Sequence, residues 1–419
     1  MTVPAGDRRE VDVLVVGAGP GGSATAYHLA RHGVDVVLAE RSAFPREKVC
    51  GDGLTPRGVK AIETMGIDPH DPGFERVDGL RIRSRKVTME LPWPRLSAFP
   101  DYGLVRTRLD FDELLARRAE KAGATLLERT EAVSPVFDDG WVAGATTRNL
   151  DDEGAEPVEV RARFVVAADG AASRFAATAG VRRDPSRPIG IAARRYYRID
   201  RRPGPWLEVW FDLWDGDALM PGYGWLFPLS DGRVNVGAGL LNTFENFQNV
   251  SAQRVFDSFA RMLPEDWNVR EETAEGRVLS GPIPMGLNRT PQAVPGMVVV
   301  GDAAGAVNPF NGEGIAYAIE SGEIAAELIH DALVSNRPGI AHMYPTVLRE
   351  RYGRYFHVGR NFVRLIGNPR VMGAFTEYGL PQEWLMRFAL RFMGNLTDGR
   401  GGDVQDRLMD AMVRLARAS

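Results

Sequence analysis

Gly17, Gly19 and Gly22 form a GxGxxG run after an apolar stretch at 11–16, and Glu40 closes a second apolar stretch at 34–38, 18 residues past the last glycine. Gly17 permits a tight turn, Gly19 lets backbone approach an anion, and Gly22 lets a helix pack closely on a strand. The N–H groups at the start of that helix then face the anion. Glu40 has the reach to accept a ribose hydroxyl, and an acid here favours a free 2′-hydroxyl over a 2′-phosphate. In a strand, glycine turn, helix, strand order, the set points to a bound dinucleotide.

Two later stretches also end in acid and glycine. "ARFVVAADGAASRF" runs into Asp169-Gly170, and "GMVVVGDAAGAVNPFNGEGIAYAIESG" runs into Gly301-Asp302. Either alone reads as an ordinary strand end with an acidic turn. The second continues through a loop at 308–314 into a helix that places Ile315, Ile319, Gly322, Ala326 and Ile329 at helical spacing. Its glycine-rich start aims N–H groups and the positive end of the helix dipole at whatever precedes it. Between these stretches, "YGWLFPLSDGRVNVGAG" puts Tyr223, Trp225 and Phe227 on one face of a strand. Asp231-Gly232 then turns the chain into a hairpin through Val234, Val236 and Ala238. The three rings suit either core packing or the wall of a pocket for a flat or long apolar ligand.

Taken together, GxGxxG with Glu40, "ADGAAS" and "GDAAGAVNPFNGEGI" resemble the FAD-binding fingerprints of the para-hydroxybenzoate hydroxylase-like flavoproteins. "FPREKVCGDGLTPRGV" and "YGWLFPLSDGRVNVGAG" are similar, more narrowly, to the geranylgeranyl reductase family, and within it to bacterial reductases that saturate an isoprene unit of menaquinone. The resemblance implies FAD as cofactor, with Asp302 at the ribityl or pyrophosphate region and Gly312, Gly314 and Ile315 over the isoalloxazine. Arg108 becomes a cofactor contact through the match of "LVRTRLDFDELLARRAEKAGATLL" to the family's Arg-containing helix. Ala18, Arg41, Cys50, Gly51, Asp169 and Pro309 complete the expected cofactor contacts, and Tyr223, Trp225 and Phe227 the expected substrate contacts.

The expected fold class is α/β: a Rossmann-like FAD-binding domain with an inserted antiparallel β-sheet substrate domain and C-terminal helices. The FAD-binding part is expected at 1–185 and 275–345, the substrate sheet at 186–274 and the helical region at 346–419. A chain of 419 residues exceeds one ordinary domain, and 44% hydrophobic with 25% charged residues is a globular composition. A net charge of −4 with scattered arginines gives no footprint for nucleic acid. The single cysteine, Cys50, excludes an internal disulfide and a thiolate cluster, and no metal is expected. The uncharged stretch at 13–30 has "GAGPGG" inside it, which suits neither a signal peptide nor a membrane span. The expected location is the cytoplasm or the cytoplasmic face of a membrane, touched peripherally. The C-terminal stretch from "RNFVRLIG" to "RFMGNL" reads either as core helices or as an interfacial segment.

A prenyl substrate is energetically sufficient for binding, since burying one five-carbon isoprene unit is worth roughly 4 kcal/mol. The head group is then left open among a quinone, a diphosphate, a glycerolipid and a chlorophyll precursor. No second GxGxxG occurs, so NAD(P)H would dock transiently or another electron donor would replace it. Reducing an isolated alkene by hydride also requires a proton at the other carbon. Cys50, placed beside the flavin by the resemblance and near Lys48, is the first candidate; Glu313 is the second and Tyr223 the third. An aromatic monooxygenase, a quinone-reducing dehydrogenase and a non-catalytic FAD-binding protein share the fingerprints. A halogenase would carry Trp-x-Trp-x-Ile-Pro, which the sequence lacks.

Overall fold

The computed structural model describes residues 9–416 apart from 153, 155, 201, 202, 216, 217, 221 and 246. Its first sheet is built on the apolar strand Arg9–Val16, which pairs in parallel with Val36–Ala39 on one side and Val158–Ala167 on the other. Thr125–Leu127 and Met297–Val299 extend it in parallel at the two flanks. These strands are nearly continuous runs of Val, Leu and Ala because both faces of the sheet are buried, so neither face can be polar. The second strand begins at Val36, not Val34. Gly33 takes φ +75°, and the Val34 N–H bonds back to Leu29 O at 3.2 Å, so Val34 still belongs to the turn that ends the preceding helix.

The helices Pro20–Arg31 and Ile315–Ser335 cross at their glycines. A Cβ on Gly322 would sit 2.4 Å from Gly21 O, so only glycine permits this approach. Ile315, Ile319, Gly322, Ala326 and Ile329 are all buried, as helical spacing required.

A second sheet of seven strands runs in the order Ala274–Pro284, Ile189–Arg198, Arg233–Leu241, Tyr223–Pro228, Trp206–Trp210, Gly79–Arg83, Thr88–Pro92. All neighbours are antiparallel except Trp206–Trp210 with Gly79–Arg83. The sheet is therefore not confined to 186–274. Its last two strands come from the segment that the sequence order assigns to the first lobe, and Ala274–Pro284 forms its opposite edge. One face packs on the helix Ala252–Met262 through Phe256 and Phe259 against Trp210, Leu226 and Val236. The other face, carrying Ala192, Leu207, Val209 and Trp225, packs against C-terminal residues Met386 and Leu390.

Within the hairpin Tyr223–Pro228 and Arg233–Leu241, Trp225 lies opposite Gly237. A Cβ at Gly237 would stand 2.1 Å from the indole, and one at Gly224 would stand 2.5 Å from the Phe259 ring. Glycine is thus required on both faces: at 237 to seat the Trp225 ring, at 224 to seat the helix behind it.

Candidate active site

The two sheets face each other across one cavity of about 840 Å³, at the upper end of the range for small-molecule sites. Its lining changes character from one end to the other. One end is the glycine cradle: Gly17 and Gly19, Glu40 and Arg41, and the ends of the two acidic strands at Asp169 and Asp302. The middle carries Cys50, Gly51 and Arg108 on one side and the loop Gly312, Glu313, Gly314 with Ile315 on another. Tyr223, Trp225 and Phe227 line the same space, and beyond them an apolar arm is walled by Leu80, Ile82, Leu91, Val209, Met386 and Leu390.

The cradle fits a dinucleotide. Gly19 caps the helix Pro20–Arg31 with no side-chain acceptor for its first N–H groups, and a Cβ at Gly19 would meet only the Arg46 side chain, at 3.7 Å. Backbone donors and open space therefore coincide, as a pyrophosphate requires. Glu40 is held in place, accepting from Ala18 N and Ser42 N at 3.0 Å each. Three expected cofactor contacts do not line the cavity. Ala18 turns its N–H to Glu40. Gly22 lies against the turn, where a Cβ would be 1.9 Å from Gly17 O, and Pro309 packs behind the loop against Gly359. Asp169 accepts from Phe175 N at 2.8 Å and leaves its buried Oδ1 without a partner. Asp302 pairs with Lys48 at 3.4 Å.

Lys48, expected near Cys50, is thus engaged with Asp302. The charged neighbours of the thiol are Arg108 and Asp52. Burial pushes the Cys50 thiol up, while Arg108 pulls it down and Asp52 adds to the rise. Arg108 is itself committed to Asp112, with Nε and Nη2 donating at 2.6 and 2.8 Å. Arg46 completes the chain of charge, pairing with Asp112 at 2.9 Å and Glu40 at 3.3 Å.

Asp52, Asn235 and Arg46 were not among the residues singled out from sequence. Asp52 sits at φ +67° and is buried; its Oδ2 accepts from Tyr196 OH and Asn235 Nδ2, each at 2.7 Å. Asn235 also donates to Cys50 O at 2.8 Å and accepts from Trp225 Nε1 at 3.0 Å. Burial pushes Asp52 up to about 6, against the pull of these donors. The network ties the Cys50 loop to the aromatic strand, and Gly51 and Gly53 lie against the rings of Trp225 and Phe227. The rings therefore serve both as packing for the loop and as cavity wall. Trp225 is only 4% exposed and is mostly the former. Signals for Asp52 and Asn235 existed in the Gly-Asp-Gly turn and in the hairpin register opposite Phe227.

Two of the three proton candidates hold their protons tightly. Burial pushes Tyr223 up to about 12, with Cys50 adding to the rise, and the Cys50 thiol is raised as above. Glu313 differs: burial pushes it up to about 7, against the pull of the Thr55 hydroxyl and Arg57.

Comparisons with known proteins show what this chain is similar to. Residues 10–195 match the family described as FAD binding domain. The chain is 36% identical to the menaquinone reductase of Mycobacterium tuberculosis over 95% of its own length and 97% of that protein. It is 32% identical to the digeranylgeranylglycerophospholipid reductase of Thermoplasma volcanium over 82% of its length and 84% of that protein. A geranylgeranyl bacteriochlorophyll reductase-like protein from Thermoplasma acidophilum has the same fold, with a TM-score of 0.77, 26% identity, and coverage of 92% of this chain and 96% of that one. Fold and cradle define an FAD-dependent oxidoreductase. The chain belongs to the geranylgeranyl reductase family of these enzymes.

Proposed function

We propose that this protein saturates a carbon–carbon double bond in the prenyl tail of a menaquinone-type lipid. The observation that carries the reading is the continuity of one cavity from the dinucleotide cradle, past Cys50 and Glu313, into an arm walled by aliphatic side chains. An apolar arm of this kind recognises a hydrocarbon chain by burial alone, at about 0.8 kcal/mol per methylene. Similarity to a menaquinone reductase over nearly the whole chain favours a quinone among prenyl lipids.

Gly17, Gly19, Glu40 and Arg41 would hold the adenosine and pyrophosphate of FAD, with Asp169 and Asp302 near the sugar and ribityl portions. Gly312, Gly314 and Ile315 would cover the ring, where the start of the helix Ile315–Ser335 places its positive end. Reduced flavin supplies hydride, and NAD(P)H or another donor restores it. Tyr223 and Phe227 orient the chain, and Cys50, neutral at physiological pH, packs against the reacting unit.

The lipid is delivered from a bilayer. Among the described residues no helix is long and apolar enough to cross one, and the reading places this protein on its face. The helix Glu383–Met393 walls the arm with Met386, Ala389, Leu390 and Met393 and leaves Trp384 69% exposed; Tyr378, just before it, is 71% exposed. Such amphipathic rings favour the membrane interface.

The test is mass spectrometry of membrane quinones from cells with and without the gene. Its presence adds the mass of two hydrogens per saturated bond to the tail; unchanged tails refute the reading.

A further inference from the structure

Glu313 is the cavity-lining carboxyl on the loop that leads into the helix Ile315–Ser335. One of its oxygens, Oε1, accepts from the Thr55 hydroxyl at 2.5 Å, and the other, Oε2, is buried with no hydrogen-bond partner. Among the described residues no cation forms an ion pair with it. The guanidinium that acts on it, Arg57, is engaged elsewhere: its Nε and Nη2 meet Glu320 at 2.8 and 2.9 Å, and its Nη1 donates to Asn395 O. Tyr352 OH also donates to Glu320, at 2.6 Å. A buried carboxylate whose hydrogen-bond partners, the Thr55 hydroxyl and the Asn311 side chain, are both neutral is costly, whereas a neutral carboxyl there is not. The groups facing Glu313 are Thr55 and Arg57 from the start of helix Pro56–Thr64, Asn311 from its own loop, Tyr317 and Glu320 from Ile315–Ser335, and Tyr355 from Arg354–Ile366. Burial raises both tyrosines, so they stay neutral, and only Arg57 and Glu320 carry charge.

We propose that Glu313 is the acid that protonates the alkene carbon opposite the one receiving hydride, and that Glu320, by holding Arg57, keeps that acid in its neutral form. This rests on the reading of the protein as an alkene reductase. In the step, the π bond breaks and two C–H bonds form, one from hydride delivered by the reduced cofactor and one from the Glu313 proton. The carboxylate left behind regains a proton from water before the next turnover, and the oxidised cofactor regains two electrons from NAD(P)H or an equivalent donor. Glu313 is the better matched acid, since its pKa of about 7 lies near working pH, whereas the Cys50 thiol is raised by burial and the Tyr223 phenol lies near 12. Glu320 and Arg57 are positioning residues.

Because the neutral carboxyl is the active form, alkene reduction is expected to be full below pH 7 and to fall as pH rises through it. Glu313→Gln should keep flavin and its reduction by dithionite yet lose alkene reduction by at least about a hundredfold, the usual contribution of a positioned acid. Glu320→Gln frees Arg57 toward Glu313 and should move the falling limb down by about one pH unit or more. Cys50→Ala should lower turnover and leave the limb in place. Infrared titration of the protein without substrate supplies an independent readout: a protonated-carboxyl band absent from Glu313→Gln, vanishing near pH 7 in the natural protein and at lower pH in Glu320→Gln. Should the natural protein reduce no prenyl quinone, the functional reading falls, and the infrared arm still decides the acid. Glu313→Gln active within tenfold of the natural protein, or a limb and band unmoved in Glu320→Gln, would overturn the inference.

Discussion

The dinucleotide cradle and the apolar arm are two ends of one cavity, yet the chain builds them in opposite ways. At the cradle, the turn, the helix start and the acid come from one continuous unit of strand, helix and strand between Arg9 and Glu40. At the arm, Leu80 and Ile82 come from one strand, Val209 from another paired with it in parallel, and Met386 and Leu390 from a helix far along the chain. On the proposed reading the cradle would make directional contacts to a fixed ligand and depend on single glycines, whereas the arm would exclude water around a flexible chain, its contribution spread over many side chains.

The sharpest way to break this contrast lies within the cradle itself. Gly22→Val would drive its Cβ to 1.9 Å from Gly17 O and should prevent folding, yielding no soluble flavoprotein. Gly19→Val meets no protein atom nearer than the Arg46 side chain at 3.7 Å. It should therefore fold, with flavin-free stability within about 1 kcal/mol of the natural protein, and lose flavin. Equal thermal stability losses in the two variants, or full flavin content in Gly19→Val, would show that the cradle has been misread.

A smaller effect is expected where the aromatic strand is seated. Gly237→Ala crowds the Trp225 indole, with an ideal Cβ 2.1 Å away, and should cost about 1–3 kcal/mol by chemical denaturation. Flavin content should hold while prenyl reduction falls, because Trp225 is tied through Asn235 to the Cys50 loop. Loss of flavin alongside activity would mean that the two ends do not separate.

The smallest effect belongs to the rim. Replacing Tyr378 and Trp384 by Ser should lower co-flotation with liposomes severalfold and leave turnover of a detergent-dispersed prenyl quinone unchanged. Flotation equal to that of the natural protein would place bilayer contact elsewhere.

How much of this was legible in the sequence follows the same division. Gly17, Gly19, Gly22 and Glu40 could be read because their chemistry is local and their spacing is fixed by a strand and a helix. The hairpin was equally local, since Asp231-Gly232 sets its register, and the opposition of Trp225 and Gly237 could have been counted from that turn. The pairing of Gly79–Arg83 with Trp206–Trp210 left no mark in either strand, because parallel neighbours far apart in sequence share no turn. Arg57 and Glu320 carried no signal in the sequence, because they meet across 263 residues only where the fold brings the helices Pro56–Thr64 and Ile315–Ser335 together. Asp52 was hidden for a similar reason: a carboxyl between two glycines reads as a turn, and its partners Tyr196 and Asn235 arrive from the other sheet.

The most direct test of the central claim, that a hydride and an alkene meet in this one cavity, is a single turnover without air. Holoenzyme reduced stoichiometrically and mixed with menaquinone should reoxidise its flavin while one prenyl double bond is saturated per flavin, and in heavy water the newly protonated carbon should carry solvent deuterium. Flavin reoxidised with the quinone ring reduced and every double bond of the tail intact would contradict the account.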